Sequence, residues 1–183
     1  MSAWGMRKNL FWIFFLLTAA SVIFPCRSFS KALSPTEYQV KAAFIYNFLG
    51  FVHWPASDMD EKGPVGICIL GEDPFDSELD VLQKKRIRGR SIVIRRLRGL
   101  KEVGGCDVLF ISRSEKRSLK RIIRSIGNKG ILTVGDMEGF GEEGGIIQFY
   151  IKDRKVRFLI NRRAAERAGL RISSKLFWLS GRR

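Results

Sequence analysis

The sequence predicts an α/β fold: one compact domain, a largely parallel sheet flanked by helices, with a C-terminal β-hairpin and short helices. Three features carry that expectation. Short apolar runs such as PVGICILG (64–71) and CDVLFIS (106–112) suit strands covered on both faces. Helical stretches alternate with them, the pattern that layers helices over parallel strands. From residue 146 the pattern changes to strong alternation over 146–151 and 155–161, which looks like a hairpin.

The elements follow in order. SPTEYQVKAAFIYNFLGFVHWP (34–55) opens with Ser34 as N-cap and Pro35 at the first helical position, and Pro55 closes it. Val40, Phe44, Phe48 and Phe51 recur at helical spacing, and Ala42, Ala43, Ile45, Tyr46 and Leu49 widen the apolar stripe nearly all round. Such a helix is deeply buried or offers a second apolar face to a partner. PVGICILG is the first strand. DPFDSELDVLQ (73–83) predicts a helix, with Asp73 as cap, Pro74 at its first position and acids in its first turn. SIVIRRL (91–97) and CDVLFIS are the next strands; an amphipathic helix (114–126) and a fourth strand, GILTVGD (130–136), come after them. IIQFYI (146–151) and KVRFLIN (155–161) pair through a turn at KDR. Residues 162–170 form a short helix with Gly169 near its C-cap, and 171–180 another, capped by Ser173 or Ser174.

The N-terminus predicts export. Arg7 and Lys8 precede fifteen uncharged residues, Leu10 to Phe24, and Ser28 and Ser30 stand at −3 and −1 of a cleavage after Ser30. These are the requirements of a secretory signal peptide. Fifteen residues fall short of the roughly 20 that span a bilayer. Residues 1–30 are therefore read as a leader and 31–183 as the domain, of 183 − 30 = 153 residues. Three basic residues leave with the leader, so the mature charge is 15 − 3 = +12. That balance favours an anionic partner or a solvated basic surface, and export disfavours nucleic acid. No membrane insertion is expected once the leader is gone. Two cysteines survive, Cys68 and Cys106, and an even pair in an oxidising compartment favours a disulfide over two free thiols.

The stretch GDMEGFGEEGG (135–145) raises the question of phosphate binding. Phosphate cradles converge backbone N–H groups at a helix N-terminus, usually beside a lysine. Here a strand precedes the loop and another follows, the loop matches neither GxxxxGK[ST] nor GxGxxG, and Asp136, Glu138, Glu142 and Glu143 would repel a phosphate. The carboxylates also lack the ligand order of a calcium loop. The glycines are read as turn formers with φ > 0. With one histidine, His53, and no GxSxG or HExxH, no catalytic residue, cofactor site or metal site is expected.

Taken together, EYQVKAAFIYNFLGFVHWP, ICILGEDPF, the Gly89-Arg90 pair, CDVLFIS, LTVGDMEGFGEEGGIIQFY and KVRFLINRRAAERAGLRISSKL resemble the YfiR family of exported bacterial proteins, over about residues 36–180. The resemblance implies a periplasmic repressor, not an enzyme. It would bind the periplasmic sensor domain of an inner-membrane signalling protein, a diguanylate cyclase, limiting cyclic di-GMP and biofilm formation. It also implies homodimerisation and a Cys68–Cys106 disulfide. A second cysteine pair found in some members is absent here, so redox control through it does not carry over. The implied partner surface lies near the hairpin and the helix after it, around Ile147, Phe149, Leu159 and Ala165. Leu159 departs from the family's usual acidic residue and Gln148 from its usual asparagine. A small-ligand-binding periplasmic sensor is the alternative reading.

Overall fold

Thr36 starts the first helix, α1 (Glu37–Phe51), by reciprocal capping: its hydroxyl accepts from the Gln39 N–H, and the Gln39 side chain accepts from the Thr36 N–H. The computed structural model describes residues 36–54 and 63–181, which lie in the second of two compact units, Pro35–Arg183. The predicted leader and cleavage site, and the expected roles of Ser34, Pro35 and Pro55, fall outside the described residues.

Among the described residues nine strands follow α1: β1 (Val52–His53), β2 (Val65–Leu70), β3 (Arg86–Ile87), β4 (Arg90–Leu97), β5 (Val108–Ile111), β6 (Leu132–Gly135), β7 (Ile147–Lys152), β8 (Lys155–Ile160) and β9 (Arg171–Ile172). Seven form one sheet in the order β3-β4-β2-β5-β6-β7-β8. The five from β4 to β7 are mutually parallel, and β3 and β8 run antiparallel at the edges. β1 and β9 pair separately, antiparallel, which ties the end of α1 to the C-terminal segment. The described residues form three further helices: α2 (Leu119–Ile126), α3 (Arg162–Arg167) and α4 (Ser174–Leu179).

Pleating explains the continuous apolar runs. Along β2, Val65, Ile67 and Ile69 enter the core beneath α1, while Cys68 and Leu70 enter a second core beneath α2. Both faces are covered, so alternation disappears from the sequence. The α1 core is rich in aromatics: Phe48 lies 5.8 Å from Phe149 and 5.1 Å from Phe158 between ring centroids. The helix that could have offered a partner face is thus a core helix, with Ile45 and Phe48 fully buried.

Two expectations are corrected. Residues 73–83 form no α-helix; turns lead to a short 3-10 helix, Asp80–Lys84. The Asp73 side chain accepts from the Phe75 N–H two residues on, closing a local turn, and Asp76 takes φ +49°. Arg96 on β4 then holds Asp73 at 2.7 Å and Asp80 at 3.0 Å, fixing the segment in that shape. The helix expected over 114–126 is regular only from Leu119, because Arg113–Ser118 is 3-10. The hairpin turns through Asp153 and Arg154, both with positive φ, between the paired Lys152 and Lys155.

In sheets of this order, ligands enter where the crossover direction reverses, here between the carboxyl ends of β2 and β5. This crevice is filled by the chain. The Ser112 N–H donates to the Leu70 carbonyl, the Glu72 N–H donates to Ser114 Oγ, and a Cβ on Gly71 would overlap the Ser114 hydroxyl.

Candidate functional site

The glycine-rich segment joins β6 to its parallel neighbour β7 without a helix, so eleven residues (136–146) must fold back tightly over the sheet end. Two glycines supply the expected left-handed backbone, Gly139 at φ +80° and Gly144 at φ +98°. Gly135 and Gly145 serve otherwise: a Cβ on either would overlap the ring of Phe140, which is fully buried in the α2 core. The loop wraps its own phenylalanine. The Gly141 N–H donates to Gln148 Oε1 at 3.0 Å, and Asn161 Nδ2 donates to the Gly141 carbonyl at 2.7 Å. Asn161 Oδ1 also accepts from the Ala164 N–H as the N-cap of α3. One asparagine therefore joins loop, hairpin and following helix.

The carboxylates divide. Glu138, Glu142 and Glu143 are exposed, whereas Asp136 is buried and neutralised. Its Oδ2 accepts from Lys41 Nζ at 2.5 Å and from the Tyr38 hydroxyl at 3.0 Å, while Arg113 donates to Oδ1 and to the backbone carbonyl. Lys41, 1% exposed on α1, also pairs with Glu37. Burial first, and then the Asp136 charge, push the Tyr38 phenol up to about 12. This cluster anchors the loop to α1. Sequence reasoning missed it; its one local signal is a lone lysine in an otherwise apolar helix stretch.

The expected site residues separate. Cys68 and Cys106 are joined in a disulfide, with Cα atoms 5.8 Å apart, in the α2 core. The side chains of Ile147, Phe149 and Ala165 are buried in the α1 core and present no surface in this conformation. The alternation puts Ile147 and Phe149 on the apolar side of the hairpin, and α1 covers that side through Phe44 and Phe48 packed onto Phe149. Leu159 is half-buried and stands opposite Gln148 in the ladder, so the two departures from the family pattern are cross-strand neighbours. Both line an open cavity of about 300 Å³, together with Gly141, Asn161, Arg162 and Gly181. A second hollow, about 550 Å³, lies beside β7 with Arg113, Lys116, Tyr150 and Ile151 on its walls. The hairpin face turned away from α1 is thus uneven, with Glu142, Arg162 and Arg163 around the first hollow and Asp136, Glu138, Arg113 and Lys116 around the second. Among the described residues, no group of three or more His, Cys, Asp or Glu side chains is placed to hold a metal ion. Nor is any helix there long and apolar enough to cross a membrane.

No curated protein matches the chain. A family profile described as YfiR/HmsC-like matches residues 38–180, from Tyr38 of the buried cluster to the end of α4. The match takes in both cores, the glycine loop and the hairpin, so the chain belongs to the YfiR/HmsC-like family of periplasmic regulators of diguanylate cyclase signalling.

Proposed function

We propose that this protein is exported to the periplasm and binds the sensor domain of an inner-membrane diguanylate cyclase, holding that enzyme in its inactive state. The observation that carries the reading is family membership over nearly the whole domain. The geometry supports it in two ways. The crevice that this strand order offers to small ligands is filled by Ser114. The hairpin face carries half-buried Leu159 in the lining of an open hollow that can receive a protruding side chain of a partner, beside the Gly141–Gln148 hydrogen bond. Repression then requires tighter binding to the inactive sensor conformation than to the active one. A second reading, a small-ligand sensor, rests on the same cavity, whose roughly 300 Å³ is at the lower end of ligand pockets.

Immobilised mature protein with its disulfide intact should retain, from solubilised host membranes, a membrane protein bearing a cyclase domain. Leu159→Asp places a charge in the contact and should weaken retention about tenfold or more. Capture of no signalling receptor at all counts against the proposal.

A further inference from the structure

Residues 162–183 hold seven basic residues against one acid, Glu166, a local charge of 7 − 1 = +6 within a chain total of +15. The same segment carries the two most exposed large apolar side chains among the described residues, Trp178 at 82% and Leu179 at 63%. Helix α4 explains their position. Ser173 caps it, Leu176 turns into the core beneath α1, and Lys175, Trp178 and Leu179, neighbours at three and four residues' spacing, stay exposed. Arg162 lies 4.2 Å over the ring of Phe177, and Arg171 is exposed on the adjoining strand β9. Lys175 and Arg171 are exposed in the same segment as the apolar pair Trp178 and Leu179.

We infer that this face adsorbs to an anionic phospholipid surface, with Trp178 and Leu179 seated at headgroup level. Tryptophan suits that depth because its ring is apolar and its N–H can still reach water or headgroup oxygens. Basic residues beside it add attraction to anionic lipid, and charge with an apolar wedge gives the paired signal that reversible peripheral binding needs. The six-residue helix is far too short to span, so the contact is superficial. The inference does not depend on the repressor reading, since it concerns protein and lipid alone.

The test is co-sedimentation of the full mature, disulfide-bonded protein with vesicles of phosphatidylcholine, or of an equal mixture with phosphatidylglycerol. From residue 31 onward the tryptophans are Trp54, which is buried, and Trp178, so a blue shift of emission on binding reports Trp178. Binding should be at least about tenfold tighter to the anionic vesicles. It should be stripped as salt is raised from about 0.1 to 1 M, where the Debye length shrinks from about 10 to 3 Å. Trp178→Ala should abolish the blue shift, and Lys175→Gln should weaken binding about fivefold. Both side chains are exposed, so both variants should keep the native near-UV circular dichroism. Equal binding to the two vesicle types, binding to neither, or affinity unchanged by both substitutions overturns the inference. A blue shift that grows with protein concentration without lipid also overturns it, assigning the face to a second copy.

Discussion

Asp136→Ala lowers the free energy of unfolding by about 3–5 kcal/mol, the range for stranding one member of a buried ion pair. Lys41 is the stranded group: it is 1% exposed, and its remaining partner, Glu37, has a side chain 41% exposed and so interacts mostly through water. Tyr38 loses its acceptor as well, whereas Arg113, with a 62% exposed side chain, returns to solvent at little cost. The loss is therefore a desolvated lysine, not a missing contact. Lys41→Met combined with Asp136→Leu removes both charges and should recover most of the stability, because an apolar pair of similar volume is tolerated where half an ion pair is not. Urea denaturation of the single and double variants checks this. A single-variant loss below about 1 kcal/mol would show that water reaches Lys41 and that the loop is not anchored through it.

Removing the disulfide should be the next largest effect. Cys68 and Cys106 are separated by 38 residues, and closing a loop of that length restricts the unfolded chain by about 4 kcal/mol in the entropic account. Cys68→Ala with Cys106→Ala should lower stability by about 2–4 kcal/mol and Tm by roughly 5–15 °C for a domain of this size. The bridge also shapes the start of β5. A Cβ on Gly66 would collide with the Gly105 carbonyl, and the Gly66 N–H donates to the Asp107 side chain at 2.8 Å, so β2 and the approach to β5 touch backbone to backbone beside the bond. Both sulfurs are buried, at 0% and 6% residue exposure, so mild reductant should act slowly on folded protein. Differential scanning calorimetry decides. A Tm within about 2 °C of the wild type would mean that the second core holds without the cross-link.

The strands were legible wherever burial alone sets the residue type. VGICIL and VLFI read as covered strands because both faces are occupied, and alternation over 146–161 read as a hairpin. The pairs β1–β9 and β3–β4 escaped, since two-residue strands have no period to detect. Asp73 misled: the same residue that caps helices also closes turns, and the choice was made by Arg96, 23 residues away. The buried cluster was illegible for the same reason, with Lys41 and Asp136 95 residues apart. At the hairpin, the sequence indicated both the region and the facing. The two-residue period puts Ile147 and Phe149 on the apolar side, which the phenylalanines of α1 cover; the implied partner positions came from the family resemblance and not from that period. Of the implied partner positions only Leu159, which is half-buried, keeps a side chain at the surface.

The repressor reading is met most directly by cyclic di-GMP synthesis in membranes from host cells that lack this protein, titrated with the mature, disulfide-bonded chain. Synthesis should fall saturably to a low plateau, with Leu159→Asp requiring about tenfold more protein for the same effect. Synthesis that stays constant at every concentration of correctly folded protein would contradict it.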